Sequence, residues 1–208
     1  MIENIIEYVN VNYDKDYLLD KFLSLAGNNF QDYLNCGAIS KIIKNTPDIR
    51  NYKILQEHNI FDHSIYDDWA TGFNYSEKLT NGVPPHTDWG ERNYYNLLLP
   101  IYGKAKIVLY HTDESTVINR YENPSLKVQW YDELGETTHW SMKLSKDLDL
   151  KQIGSLIVDK PTLLNTNFLH EVVITEAPRL CWVTRWMNVD KNIDFSKAKD
   201  IIESKLNA

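Results

Sequence analysis

From about Tyr52 to Trp186 the chain is a succession of short runs rich in Tyr, Trp, Val, Ile and Leu, broken by turn residues and with no helical spacing between them. The runs are YKILQE, WATGFNY, YYNLLLPIY, AKIVLYHT, LKVQWY, THWSMKL, SLIVD, TLLNT, EVVIT and RLCWVTRW. Strands in such unbroken succession exclude the alternation of strand and helix that builds a parallel sheet. They predict an antiparallel sandwich or jelly roll. The six Trp, thirteen Tyr and six Phe agree with this, because large flat side chains pack well on a pleated surface.

Helical spacing is confined to the flanks. In DKDYLLDKFLSLAGNN, Tyr17, Leu18, Phe22 and Leu25 fall on one stripe, Asp14 or Asp16 can cap the start, and Gly27 with Asn28 reads as a stop. A second helix is predicted from Gln31 to Lys44, ahead of the breaker NTPD. The tail DFSKAKDIIESKLNA puts Ala198, Ile201, Ile202 and Leu206 on one face, with Asp194 or Ser196 as cap. The expectation is a mainly β protein with flanking helices. It has a single domain over 1–208: a helical cover over 1–50, a β core over 52–187 and a C-terminal helix over 192–208.

Charge and cysteine content narrow the function classes. With 22 Lys and Arg against 29 Asp and Glu, the net charge of −7 lacks the clustered cations of a generic phosphate-backbone binder, which argues against nucleic acid as partner. Cys36 and Cys181 are far apart and form no Cys-x-x-Cys pattern, so neither a disulfide framework nor a thiolate zinc site is implied. The N-terminal residues are acidic where a secretory leader would need a basic start, and no apolar run reaches the length of a membrane span. A cytoplasmic location and no membrane association are expected.

The chemistry-bearing residues include six histidines: His58, His63, His86, His111, His139 and His170. His86-Thr87-Asp88 and His111-Thr112-Asp113 are both His-Thr-Asp. On a strand, positions i and i+2 point to the same face, so either pair can offer an imidazole and a carboxylate to one metal ion. Two histidines and one carboxylate on one face of Fe(II) leave the opposite face open, and His170 can supply the third ligand. His170 lies in KPTLLNTNFLHEVVITEAPRLCWVTRW, where Glu176-Ala177-Pro178 reads as the turn of an antiparallel hairpin. With Ile174 opposite Arg179, His170 would lie opposite Val183, and His170, Val172, Ile174, Arg179, Cys181, Val183 and Arg185 would share a face. His170 and Arg179 would then stand roughly 13 Å apart, room for a metal, a five-carbon diacid chelated to it and a guanidinium fork on the far carboxylate.

The ordered set PPHTDWGERNYYNLLLPIYGKAKIVLY and PTLLNTNFLHEVVITEAPRLCWVTRW resembles the 2-oxoglutarate and Fe(II)-dependent dioxygenases, most of all the prolyl-hydroxylase-like and small phage or environmental members. The resemblance spans roughly residues 70–187. It implies a double-stranded β-helix, the cupin-like jelly roll, with Fe(II) on His86, Asp88 and His170 and Arg179 on the far carboxylate of 2-oxoglutarate. It also implies dioxygen as co-substrate and hydroxylation of an unactivated C–H bond, with release of succinate and carbon dioxide. For the substrate, a small molecule or peptidyl side chain is expected, and free amino acids, nucleobases and small metabolites all fit an aromatic pocket with nearby arginines. Family strand tyrosines suggest Tyr95 as a further contact to 2-oxoglutarate. Where many members have Arg-x-Ser, this chain has Arg179-Leu180-Cys181, so a hydroxyl contact is lost or replaced by the Cys181 thiol.

His86 and Asp88 are preferred to His111 and Asp113 because they follow the NGVPP turn and precede two core strands, whereas His111 leads into the polar run DEST. Trp89, beside Asp88, is the best candidate to touch substrate, while Arg185 either meets an anionic substrate at the mouth or pairs with an acidic residue. His58 and His63 read as loop residues, His139 as a structural strand histidine, and Asn165 as a turn residue with the opposite parity. Two other classes fit the same triad: a zinc-dependent hydrolase, which would leave Arg179 without a task, and a non-catalytic cupin-like binding module.

Overall fold

The turn residues around Gly103 and Pro178 bend the chain without reversing it. In chain order the computed structural model has β1 (Ile6–Tyr8), α1 (Lys15–Ala26), β2 (Ile39–Lys41), β3 (Ile65–Tyr66), β4 (Gly72–Ser76), β5 (Val83–His86) and β6 (Asn93–Tyr110). There follow β7 (Val128–Asp132), β8 (Gly135–His139), β9 (Gln152–Val158), β10 (Thr162–Asn165), β11 (His170–Val189) and α2 (Phe195–Leu206). The structure describes residues 2–26, 39–41, 60–61, 65–66, 72–76, 78–79, 82–86, 93–111, 128–132, 135–139 and 150–207. For 24–26, 39–41, 65–66, 84, 86, 93, 128–132, 135–139 and 187–188 it describes the backbone alone.

The fold is mainly β, an antiparallel sheet whose six-strand path runs β1-β10-β6-β11-β4-β2, accompanied among the described residues by two helices. Strands β3 and β5 also pair with β11, β9 pairs with β6, and β7 and β8 form a separate hairpin. The two long strands β6 and β11 lie antiparallel over nearly their full length, and each changes its second neighbour at the bend. Before the bend β11 pairs with β5, and after it with β4 and β3; β6 pairs first with β10 and then with β9.

This corrects the predicted hairpin. Ile174 lies opposite Ala105, not Arg179, and Val183 lies opposite Leu98, not His170. Glu176-Ala177-Pro178 sits at a register irregularity beside Gly103, whose φ of +64° suits a glycine bend, and Ala177–Pro178 is cis. The predicted runs YYNLLLPIY and AKIVLYHT are likewise one strand, β6.

Alternation along these strands sorts their side chains onto two faces. Tyr95, Leu97, Leu99, Leu163, Leu180, Trp182 and Trp186 join one cluster with Leu18 and Phe22 of α1 and Phe195, Ala198, Ile202 and Leu206 of α2. Phe73 meets Trp182 edge-on there at 4.8 Å between centroids, and Phe61 meets Trp186 at 5.5 Å. The opposite face packs Leu98, Leu164, Cys181 and Val183 from one side of the bends with Ile107, Leu109, Val158 and Val172 from the other, under Ile5 and Ile6. Residues from both sides of the two bends thus share one core.

The flanks meet expectation in part. Asp14 caps α1 by accepting from the Tyr17 amide, and Asp194 rather than Ser196 caps α2 by accepting from the Lys197 amide. The helix predicted over Gln31–Lys44 is contradicted at Ile39–Lys41, which pairs with β4 as strand β2, and β1 is also a strand in the expected helical cover. In both cases docking on a sheet edge overrides local helical spacing. The rest of Gln31–Lys44 and the predicted strand YKILQE lie outside the described residues. Among the described residues no helix is long and apolar enough to cross a membrane.

Candidate metal and anion site

His170 opens β11, where it lies directly opposite His86 on one side and Leu109 on the other. The sequence reason is legible in β5: Pro84 and Pro85 lack amide hydrogens and suit a strand paired on one side, and among the described residues β5 pairs only with β11. Gly82 lies so close beneath β11 that a Cβ there would run into the Val172 carbonyl oxygen, so the glycine of NGVPP is what lets β5 approach.

His170 is 2% exposed, and its Nδ1 lies 2.9 Å from the Phe168 carbonyl oxygen. A carbonyl only accepts, so Nδ1 is the donor and in the neutral ring Nε2 carries the lone pair. The turn before it presents that carbonyl. Asn165 accepts from the Asn167 amide at 3.1 Å, and the Thr166 amide donates to the Tyr94 carbonyl at 2.9 Å. Asn165 thus ends β10, and its side chain holds the turn that follows. Asp88 and Trp89 lie outside the described residues, and His86 is described by its backbone. Among the described residues no three His, Cys, Asp or Glu side chains stand close enough to hold a metal.

Arg179 lies past the bend on the same strand. It is 6% exposed and directly opposite Ser76 of β4. Its neighbour Leu180 packs toward the helices, while Cys181 and Val183 join the core that holds Leu109 and Val172. Arg179 and His170 therefore share a face, as expected, but by way of the register irregularities at the bend and not by the expected hairpin pairing. The four-residue offset behind the 13 Å spacing does not apply. Among the described residues no carboxylate pairs with the Arg179 guanidinium; the ion pairs Lys104–Glu176 and Lys199–Glu7 lie elsewhere.

Cys181, fully buried on this face, donates its thiol to the Trp182 carbonyl oxygen at 3.3 Å. Burial pushes the thiol pKa up, against the smaller opposing pull of the Arg179 charge and a backbone hydrogen bond, so the sulfur stays protonated.

Tyr95 is placed differently from the expectation. It sits on the helix-covered face, its ring near Phe61 and Phe195, and its hydroxyl donates to the Ile193 carbonyl oxygen at 3.1 Å. Burial first, then the nearby Asp194 charge, raises its phenol pKa. The parity of β6 instead gives the His170 and Arg179 face to Asn96 and Leu98, and Asn96 lies directly opposite Arg185. Asn74 and Ser76 of β4, which the sequence reading passed over, occupy the same face opposite Cys181 and Arg179; alternation against the buried Phe73 and Tyr75 was the signal for them.

His111 is exposed just past the end of β6, its backbone amide donating to the Lys151 carbonyl at 2.8 Å, and it is His86 that stands opposite His170. Asp113, His58 and His63 lie outside the described residues, and His139 stands opposite Val128 in the β7–β8 hairpin. No protein-family model matches this chain, and no curated protein is significantly similar to it.

Proposed function

We propose that this protein is a 2-oxoglutarate- and Fe(II)-dependent dioxygenase that hydroxylates a C–H bond, built on a double-stranded β-helix. The observation that carries the reading is the pairing of His170 with His86 on adjacent strands, together with a buried guanidinium on the same face. Among the described residues no carboxylate pairs with this guanidinium, which is 6% exposed, and a bound dicarboxylate would supply an anion for it. The strand order supports the fold. One set runs β9, β6, β11, β5 and the other β10, β6, β11, β4, with β6 and β11 passing from one to the other and a core between them.

His86, Asp88 and His170 would hold the metal, a donor set of two imidazoles and one carboxylate that suits Fe(II) with open positions. Bound there with 2-oxoglutarate, Fe(II) would supply the activation of dioxygen. The work of the chain's own residues is positional. The Phe168 carbonyl fixes the His170 tautomer so that the Nε2 lone pair is the donor. Arg179 receives the distal carboxylate with a two-pronged fork, in an apolar setting of Leu98, Ile107, Leu109, Val172 and Val183 that excludes water and strengthens the charge pairing.

Succinate release from 2-oxoglutarate by the Fe(II)-loaded protein tests the reading. The wild type should produce succinate, His170→Ala should not, and Arg179→Gln should need far more 2-oxoglutarate. A folded, metal-binding wild type that consumes no 2-oxoglutarate over a broad substrate screen contradicts it.

A further inference from the structure

Strand β9 carries two exposed isoleucines, Ile153 at 40% and Ile157 at 46%. Their direction is set by the residues between and beside them: Leu156 and Val158 join the core, and a Cβ on Gly154 would strike the Ile2 side chain packed there. Alternation therefore turns Ile153, Ser155 and Ile157 outward. The backbone edge of β9 is blunted. Among the described residues β9 pairs only with β6, and the register to β6 skips Ile153. The Tyr8 hydroxyl proton is shared between the Ile157 carbonyl oxygen at 2.8 Å and Asp159 Oδ1 at 3.1 Å. Such an edge resists the addition of another strand, and the outward side chains are what it offers a partner.

The order of residues along β9 says what that partner is. Ile153 and Ile157 stand two places either side of Ser155, and Lys151 and Asp159 four places either side. Lys151 and Asp159 are both exposed, and among the described residues neither forms an ion pair. We infer that this face of β9 docks a second copy of the chain, antiparallel, about a two-fold axis through Ser155. The axis sets Ile153 against the partner's Ile157 and Lys151 against the partner's Asp159, each contact being made twice. Both ion pairs would stand roughly 13 Å from the axis, four residues at about 3.3 Å each. Ser155 is small enough at the axis for the two strands to approach, and Asp159 keeps Oδ2 for the partner's Lys151 while Oδ1 faces Tyr8. Charge selects this arrangement over in-register parallel stacking, which would set lysine on lysine and aspartate on aspartate. Two isoleucines from each copy make a small contact, at the weak, transient end of protein interfaces, below about 1,200 Å².

The test is sedimentation velocity of the full chain from about 5 μM to about 500 μM, the range in which a weak dimer becomes populated. The wild type should pass from monomer to dimer as concentration rises, and Ile157→Lys should stay monomeric. Lys151→Glu gives each copy two acidic ends and Asp159→Lys two basic ends, so each variant alone should dimerise at least about tenfold more weakly than wild type. An equimolar mixture of the two should form the dimer again, because every acidic end then meets a basic one. Loss of the Tyr8 contact or other local damage in either variant would not be repaired by mixing. A wild type that remains monomeric throughout overturns the inference and leaves the face to a different protein or a lipid surface. A dimer indifferent to Ile157→Lys overturns it too, as does a mixture no more associated than its components.

Discussion

Gly103→Ala attacks the bend that carries β6 and β11 from one set of partners to the other. Two costs add there. An L residue at φ +64° costs about 1–2 kcal/mol. The new Cβ would also stand 2.6 Å from the Glu176 carbonyl oxygen and 2.9 Å from the Arg179 Cα, and closer still to the Pro178 carbonyl oxygen. All three are backbone atoms, so no rotamer change relieves the overlap and β11 itself must move, at roughly 1–3 kcal/mol for overpacking. The sum is about 2–5 kcal/mol, a large share of the stability of an ordinary domain. For a chain of 208 residues, ~3 kcal/mol lowers Tm by roughly 6–12 °C. Gly103→Asn separates the two costs, because Asn tolerates positive φ but brings the same Cβ. It should recover only the dihedral part and remain destabilised by about 1–3 kcal/mol. Urea unfolding of the three proteins reads this directly. An Ala variant within ~1 kcal/mol of wild type, or an Asn variant as stable as glycine, would refute the close packing of the bend against Pro178 and Arg179.

Three other outcomes follow from single groups. In a Cys36→Ser background, Cys181 should resist a thiol reagent under native conditions and react only on unfolding, because burial keeps its thiol protonated; fast reaction at neutral pH would contradict its placement. Burial, then the hydrogen bond to Glu171, pushes the Tyr110 phenol up to about 12. Since its folded pKa exceeds the unfolded value near 10, its contribution to stability is complete below pH ~10 and lost as pH rises toward about 12. Tyr110→Phe should therefore flatten the alkaline loss of stability in that window, and an unaltered profile would refute the coupling. In the metal-free protein, nitrogen NMR should find neutral His170 protonated at Nδ1; an Nε2–H tautomer would deny the Phe168 hydrogen bond.

What local chemistry decides was readable in the sequence. Ala198, Ile202 and Leu206 mark α2, with its cap narrowed to Asp194 or Ser196, and the alternation of Leu180 and Trp182 with Cys181 and Val183 sorts β11 onto its two faces. The punctuation at Glu176-Ala177-Pro178 was visible too, but a turn signal does not say whether a strand reverses or bends. That depends on Gly103, far away in sequence, being opposite it. Ile39–Lys41 reads as helix because nothing local reveals that β4 offers an edge. The parity of Tyr95 and the pairing of Ser76 with Arg179 are matters of register, which is set by which strands meet and not by either strand alone.

The proposed function puts a metal at His86, Asp88 and His170 and an anion site at Arg179 on one core face. Anaerobic titration of the apoprotein with Fe(II) and 2-oxoglutarate, followed by the weak visible charge-transfer absorption of the chelate, tests it most directly. The wild type should give a band that is lost in His170→Ala and needs far more 2-oxoglutarate in Arg179→Ala. A folded wild type that binds Fe(II) and gives no band, or a band indifferent to both substitutions, would contradict it.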